Sequence, residues 1–104
     1  MAIPQRDPFS AVGDANRRII LADLARGESS VQELADRMSI SRPAVSRHLR
    51  LLKEAGLVSD RADGVRRIYR VDETGAAEMR RFMEDVWGEA VARFRLVVEN
   101  TTPE

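Results

Sequence analysis

The 104-residue sequence contains no cysteine and only one histidine, His48. The absence of cysteine excludes disulfide bonds, thiolate metal sites and cysteine nucleophiles. A lone histidine is weak support for a metal site, and the sequence has neither a paired-carboxylate motif nor a phosphate-binding loop. We therefore expect a protein that is not an enzyme and that uses no metal or other cofactor.

Long hydrophobic runs are also missing. No apolar stretch approaches the roughly 20 residues that a membrane-spanning helix needs. The first nine residues, MAIPQRDPF, lack the apolar core of a signal peptide, and we expect a cytoplasmic protein. At this length a single domain is the default, and its core is small enough that a partner subunit often adds stability.

The net charge is zero, but the charges are distributed unevenly. Residues 1–36 carry four basic and six acidic groups, residues 37–70 carry nine and three, and residues 71–104 carry four and eight. Eight of the nine cations in the middle segment are arginines, whose forked donors suit phosphate and guanine. This basic segment predicts contact with a polyanion.

Capping signals divide the first half of the chain into helices. A short helix is expected over residues 8–12, and Asp14 is a candidate N-cap for a second helix that Gly27 ends. Ser30 and Glu33 have the spacing of a capping box, so a third helix should begin at about residue 31.

The segment SRPAVSRHLRLLKEAG, residues 41–56, has the pattern of an amphipathic helix with an unusual outer face. Val45, Leu49 and Leu52 recur at spacings of four and three and predict a buried side. The other side carries arginines, and only Arg50 and Glu54 make an opposite-charge pair at helical spacing. Because the connector before this helix is short, the segment predicts a helix-turn-helix.

The periodicity changes beyond this helix. Two β-prone runs flank Asp63 and Gly64, which is a hairpin signal, and a hairpin that follows a helix-turn-helix is a wing. A long final helix, capped by Asp72 or Thr74, carries an apolar stripe. A body of about 60 residues cannot bury the whole stripe, so we expect it to meet a second copy of the chain.

The elements predict a fold that is mainly α with a small β-hairpin wing. Its order is α-α-α-α-β-β-α, that of a dimeric winged helix-turn-helix. We expect a flexible N-terminal arm over residues 1–7, one winged helix-turn-helix domain with terminal dimerisation helices over residues 8–99, and a frayed tail over residues 100–104.

Four motifs occur together in the central part of the chain: N-R-R-x-I-L, E-L-A, S-x-P-A-V-S-x-H-L-x-x-L-x-x-A-G-L-V, and G-x-x-x-x-Y in the wing. In this combination the chain resembles the ArsR/SmtB family of winged-helix bacterial repressors over roughly residues 8–99. The resemblance implies a homodimer paired through its first and last helices. It also implies double-stranded DNA as the partner and repression by occupancy of an operator.

The metal-binding positions of that family are not matched. Many members sense metals through a cysteine pair in the helix before the turn, where this chain has ELADRM. Others use aspartate and histidine on the final helix, which here has no histidine. The chain therefore resembles the non-metal branch of the family, and the effector stays unknown.

Ten residues are predicted to contact DNA: Ser41, Arg42, Pro43, Ser46, Arg47, His48 and Arg50 in the helix, and Arg61, Arg66 and Arg67 on the wing. The helix would enter the major groove, where arginine reads guanine, and the wing would touch phosphates or the minor groove. The competing interpretations are a solvated charged face for the helix and an ordinary charged hairpin for the wing. For His48, a packing role is as well supported by the pattern as a DNA contact.

Eight residues are predicted to form the dimer interface: Phe9, Met79, Phe82, Met83, Val86, Trp87, Val91 and Phe94. They supply the apolar stripe of the final helix and one aromatic residue from the first. Gly88 either permits close approach of helices at this interface or is a tolerated defect that costs about 1 kcal/mol.

The function predicted from these features is sequence-specific DNA binding by a homodimeric repressor, which also acts on its own gene, at an inverted-repeat operator. The alternative is a winged-helix module that binds another regulator and modulates it. The arginine face of residues 42–55 separates the two, because a protein-binding face would carry more apolar residues.

Overall fold

The computed structural model describes residues 7–101, except for the side chains of residues 91, 94, 95 and 99–101. The predicted arm over residues 1–7 lies outside the described residues except for Asp7, and so does the predicted tail over residues 100–104 except for the backbone of residues 100 and 101, which belongs to the last helix. Within the described range, the elements follow in this order: α1 Pro8–Ala11, α2 Ala15–Arg26, β1 Ser29–Ser30, α3 Val31–Arg37, α4 Arg42–Glu54, β2 Val58–Asp63, β3 Arg66–Val71 and α5 Glu73–Thr101.

The helix boundaries follow the capping signals. Asp14, Ser30 and Ser41 each accept a hydrogen bond from a backbone N–H in the first turn of the next helix. The box between Ser30 and Glu33 is reciprocal, with bonds of 3.2 and 3.1 Å. Gly56 follows α4 with φ 76°, a left-handed conformation that glycine adopts without strain. The predicted helix starts are therefore confirmed.

The sheet has one more strand than the predicted hairpin. Its order is β1-β3-β2, all antiparallel, with Ser29 opposite Tyr69 and Ser30 opposite Ile68. Two serines ahead of a helix show neither alternation nor β-prone residues, so the pattern carried no signal for this strand. Pairing of β1 with β3 ties the base of the wing to the start of α3.

The hairpin turn lies one residue later than predicted. Asp63 pairs with Arg66 as the last step of the ladder, so the two-residue loop is Gly64-Val65 rather than Asp63-Gly64. Gly64 has φ 63° while Val65 has a negative φ, which fits glycine at the first central position of a type II′ turn.

The core lies where α2, α3 and α4 meet beside the sheet. Five aliphatic side chains in these helices are wholly inaccessible: Ile20, Leu34, Val45, Leu49 and Leu52. Three of them are the predicted buried side of α4, which is therefore confirmed. Because the inner side of α4 is packed this closely, its outer face has a fixed direction.

The junction between α4 and α5 depends on Gly75. Its N–H donates to the carbonyl oxygen of Gly56 at 2.8 Å. A Cβ at this position would lie only 2.8 and 2.9 Å from the carbonyl oxygens of Ala55 and Gly56. The start of α5 thus passes against the end of α4 at a distance that only glycine permits, and this contact sets the direction in which α5 leaves the body.

The long helix α5 keeps much of its apolar stripe in contact with solvent. The side chains of Phe82, Met83, Val86 and Trp87 are 45–49% exposed. No helix within the described residues is long and apolar enough to cross a membrane. A single chain therefore leaves this stripe about half covered, as predicted.

Candidate functional site

The outer face of α4 is a row of exposed polar and cationic side chains. Arg42, Ser46, Arg47 and Arg50 are all exposed, on the side opposite the buried valine and leucines. Arg42 donates to Oε1 of Gln32 at 3.1 Å. Within the described part of the chain, Arg47 and Arg50 make no hydrogen bond or ion pair, and the expected pair of Arg50 with Glu54 is not formed. These two guanidinium groups are therefore available to an anion without losing an internal partner.

The N-terminus of α4 adds further donors to this face. Ser41 and Pro43 are exposed at its start, and the Ser41 hydroxyl accepts the backbone N–H of Ala44 at 3.3 Å. The first-turn N–H groups and the positive end of the helix dipole favour a phosphate oxygen at this position. The arrangement can hold a phosphate at the end of the helix while the arginines reach further.

A groove of about 380 Å³ separates the first turns of α4 from the wing. Arg42 and Ser46 line it from the helix, and Arg66 and Arg67 line it from the wing. The structure therefore brings four of the ten predicted DNA-contacting residues together around one concave surface. Arg47, Arg50 and Arg61 do not line this groove.

The three wing arginines predicted to contact DNA, unlike Arg47 and Arg50 of α4, form ion pairs within the chain. The ion pairs are Arg61 with Glu28, Arg66 with Asp63 at 3.3 Å and with Glu33 at 3.6 Å, and Arg67 with Asp60 at 3.2 Å. Two of these carboxylates lie near β1, which pairing with β3 brings beside the wing. Sequence reasoning counted the wing cations without these partners because that strand was not predicted.

Asp60 differs from the other carboxylates that pair with wing arginines because its side chain is almost inaccessible to solvent. Its side chain is 6% exposed and forms ion pairs with Nζ of Lys53 at 2.7 Å and with Nη1 of Arg67 at 3.2 Å. The hydrogen bond from Lys53 lowers the pKa of Asp60, against the opposing effect of burial. Neither Asp60 nor Lys53 was predicted to have a role, since nothing in the linear pattern links positions seven residues apart across Gly56.

His48 lies on the inner side of α4 rather than on the outer face. Its side chain is 6% exposed, and its Nδ1 is 3.4 Å from Nη1 of Arg17. Burial lowers the pKa of His48, although the charge of Asp14 opposes this effect. This placement favours the packing role that the sequence left open for His48 over a DNA contact. The signal was present, because position 48 stands between Val45 and Leu52 at the spacing of the buried side.

Arg17 is a further residue whose role was not predicted. Its Nε donates to the carbonyl oxygen of Ala11 at 2.6 Å, while its Nη1 faces His48. Arg18 makes a similar bond to the carbonyl oxygen of Val12, also at 2.6 Å. The two arginines thus donate hydrogen bonds to carbonyl groups at the C-terminal end of α1 and hold this short helix against α2.

The second exposed surface of interest is the apolar face of α5 with α1. The rings of Phe9 and Phe82 meet edge to face with centroids 4.9 Å apart, and those of Phe82 and Trp87 are 6.1 Å apart. Met79 and Met83 continue this face into an apolar groove of about 480 Å³ against α2. The side chains of Val91 and Phe94, also predicted for the interface, lie outside the described residues.

The described residues contain no group of three or more histidine, aspartate or glutamate side chains placed to hold a metal ion.

Gly88 makes no close approach to another element within the described part of the single chain. A Cβ there would have no atom within 4 Å, and position 88 lies about 140° around the helix from Met83.

Comparisons with known proteins agree with this geometry. The family model for bacterial regulatory proteins of the arsR family matches residues 14–60. The chain is 41% identical to the HTH-type transcriptional regulator Rv2034 of Mycobacterium tuberculosis, over 88% of this chain and 86% of that protein. It is 36% identical to the transcriptional repressor SdpR of Bacillus subtilis, over 64% of this chain and 73% of that one.

A solved structure shows the same architecture. The crystal structure of a possible transcriptional regulator for arsenical resistance superimposes with a TM-score of 0.74. Its sequence is 37% identical to this chain, and the match covers 93% of this chain and 98% of that one.

Proposed function

This chain belongs to the ArsR family of DNA-binding transcriptional regulators, and we propose that it acts as a homodimeric repressor that occupies an inverted-repeat operator, including one at its own promoter. The observation that carries the proposal is the outer face of α4. Its arginines point away from a closely packed core, and two of them have no partner among the described residues. The DNA partner implies a cytoplasmic location.

In this proposal α4 lies in the major groove. Arg47 and Arg50 donate to guanine O6 and N7 or to phosphate oxygens, and Ser41, Arg42, Pro43 and Ser46 line the same contact. A good bidentate arginine–guanine contact contributes about 1–3 kcal/mol of discrimination against a wrong base. Since Arg47 and Arg50 break no internal ion pair, most of that energy is available for recognition.

The wing contributes through Arg61, Arg66 and Arg67, which contact phosphates or a narrow minor groove next to the major groove that holds α4. Their ion pairs to Glu28, Glu33 and Asp63 are exposed, and such pairs are worth about 0–1 kcal/mol. Phosphates can therefore replace these carboxylates at small cost. We infer a smaller net gain from the wing than from α4.

Two copies pair through the apolar face of α1 and α5. A chain of this size gains from covering side chains such as Phe82 and Trp87, which are half exposed in one copy. Pairing two winged helices by a two-fold axis places two copies of α4 on the same side of the dimer. An inverted repeat with half-sites about one helical turn apart fits that symmetry.

The experiment is a selection of duplexes from a random-sequence pool, followed by fluorescence anisotropy on the selected duplex and on a scrambled duplex. Titrations at two salt concentrations separate phosphate contacts from base contacts. We expect tight binding to the selected duplex that weakens steeply with salt, and much weaker binding to the scrambled one. Equal affinity for both duplexes would contradict sequence-specific repression and favour a module that acts through another protein.

A further inference from the structure

Among the wing carboxylates that pair with cations, Asp60 is the one that links the wing to α4. Glu28, Glu33 and Asp63 are about half exposed, whereas the Asp60 side chain is 6% exposed. Exposed ion pairs exchange partners readily, but a buried carboxylate left without its cations is costly. Lys53 and Arg67 are themselves 55% and 61% exposed, so it is the carboxylate that depends on the pairing, and we expect this pairing to open less readily than the other three.

The ion pair between Lys53 and Asp60 lies where it can fix the orientation of the wing relative to α4. Lys53 stands in the last turn of α4 and Asp60 stands in β2, and only residues 55–57 join the two elements. That corner contains Gly56 in a left-handed conformation. The 2.7 Å contact between Lys53 and Asp60 closes across the corner and resists its opening.

The other cation of Asp60 connects the same carboxylate to the second strand of the wing. Arg67, in β3, reaches Asp60 at 3.2 Å across the ladder, where Asp60 lies opposite Tyr69. Arg67 also lines the groove that faces the first turns of α4. One carboxylate therefore joins α4 and both strands of the wing.

We propose that Asp60 is a positioning residue that fixes the angle of the wing to α4 and so sets the preference of this protein for its operator over other DNA. The inference rests on the function proposed above. It assigns to Asp60 no contact with DNA. Its charge holds Lys53 and Arg67 at fixed places. As a result, α4 and the wing can make their DNA contacts at the same time only on the correct sequence.

Loss of the Asp60 charge should affect two kinds of DNA in opposite directions. In Asp60→Asn the angle between wing and helix is no longer fixed, so binding to the selected duplex weakens. At the same time Lys53 is released toward phosphate and Arg67 is no longer held in one place, so binding to a scrambled duplex strengthens. We expect the ratio of the two affinities to fall about tenfold, the size of one displaced base contact. The salt dependence should steepen by about one unit for each phosphate gained.

The test uses fluorescence anisotropy with the full chain, the duplex selected by the wild-type protein and its scrambled counterpart. Asp63→Asn is the matched control, since it removes an exposed wing carboxylate that pairs only with Arg66 across the turn. We expect Asp63→Asn to strengthen binding to both duplexes alike and to leave their ratio within about twofold.

The variant Lys53→Gln distinguishes an altered orientation of the wing from a general loss of folding. Lys53 is exposed and removable without opening the core, and its loss breaks the link to α4 while Asp60 and Arg67 stay paired. The affinity ratio should fall in this variant too, but without the steeper salt dependence, because no cation is released toward phosphate. Thermal unfolding of each variant shows whether it is folded at the temperature of the titration, and if Asp60→Asn is not folded there, Lys53→Gln decides.

Unchanged affinity ratios in Lys53→Gln, or in a folded Asp60→Asn, would overturn the inference and leave Asp60 as a residue that stabilises the fold only. A fall of the ratio by the same factor in Asp63→Asn would also overturn it, because any lost wing carboxylate would then act alike. A wild-type protein that selects no sequence would instead overturn the proposed function, and this inference with it.

Discussion

Two helices of this protein, α4 and α5, each have one face that the rest of the chain leaves exposed. The exposed face of α4 is cationic, and that of α5 is apolar. The inner side of α4 is packed into the core, while its outer face presents Arg47 and Arg50 without partners among the described residues. On α5 the exposed stripe is apolar, with Phe82 and Trp87 about half accessible.

The difference indicates which partner each face requires. Exposed cations without carboxylates are stable in water and gain most from a polyanion, whereas an exposed aromatic stripe gains most from another apolar surface. The wing shows the intermediate case, because Arg61, Arg66 and Arg67 are already paired with carboxylates of the same chain. The predictions below alter one face at a time.

Trp87→Glu tests the apolar face most strongly. A carboxylate in the middle of a dimer interface would be buried without a partner, which costs several kcal/mol, so we expect dimerisation to weaken at least about 100-fold. Sedimentation equilibrium at micromolar concentration measures this as a shift to monomer. The control is Ala77→Glu, which makes the same charge change at an exposed position about 200° around the helix from Met79. A dimeric Trp87→Glu would place the interface elsewhere.

Arg47→Ala tests the cationic face. Loss of a base contact made by an arginine without an internal partner should weaken binding to the selected duplex by about 1–3 kcal/mol and relax selectivity at one base position. Arg61→Ala removes the same charge from the wing, where Glu28 already pairs with it, so its effect should be smaller. Anisotropy titrations of both variants give the comparison, and a larger loss in Arg61→Ala would reverse the assignment of roles.

Gly75→Ala tests the joint between the two helices. The new methyl group would lie 2.8–2.9 Å from two carbonyl oxygens at the end of α4, so the backbone must shift, at a cost of about 1–3 kcal/mol in the free energy of unfolding. Gly88→Ala, also in α5, meets no atom within 4 Å and should instead stabilise the helix by up to about 1 kcal/mol. Chemical denaturation measures the free energy of unfolding of both variants. Equal changes would show that the close approach at Gly75 does not affect stability.

His48 makes the inner side of α4 sensitive to pH. Burial lowers its pKa below the ordinary 6.5, with Asp14 opposing and Arg17 and Arg47 adding to the shift. The unfolded chain therefore binds a proton at a pH where the folded chain does not, and stability present above pH 6.5 is lost as the pH falls below that value. We expect the free energy of unfolding to decrease between pH 7 and about 5.5, a window set by the ordinary range of histidine.

His48→Gln should remove that decrease. The carboxylates with lowered pKa, among them Asp60 and Asp72, have ordinary values of 3.8 and lose their contribution only at lower pH. Denaturation of both proteins across the pH range isolates the histidine. An identical pH dependence in His48→Gln would show that another group is responsible.

The smallest expected effect is that of metal ions. The chain has no cysteine, and its described residues form no cluster suited to a metal. We expect zinc, cadmium and arsenite at sub-millimolar levels to leave the affinity for the selected duplex unchanged. Release of DNA on addition of any of them, measured by anisotropy, would point to carboxylate or His48 ligands.

Much of the fold was predictable because its signals are local. Caps at Asp14, Ser30 and Ser41 and the left-handed Gly56 act within one helical turn, so neighbouring residues suffice to place the boundaries. The buried side of α4 followed from its periodicity in the same way. Strand β1 was not predictable, because it exists through pairing with a strand about 40 residues later in the chain.

The site was predictable as a set of cations but not as a set of interactions. The pattern identified the arginines, yet it could not show that Glu28 and Glu33 reach the wing or that the Asp60 carboxylate lies between Lys53 and Arg67. These contacts depend on tertiary approach. His48 was included among the predicted DNA contacts because of the family motif, although its spacing from Val45 and Leu52 already indicated the buried side of α4.

Protection of guanine N7 from dimethyl sulfate on the selected duplex tests the central claim most directly, because N7 lies in the major groove, where arginine reads it. The account predicts two protected clusters, related by two-fold symmetry and about one helical turn apart. It also predicts that Arg47→Ala loses part of the protection in both. A single cluster, or tight binding with no protected guanine, would contradict the claim that two copies each place α4 in the major groove.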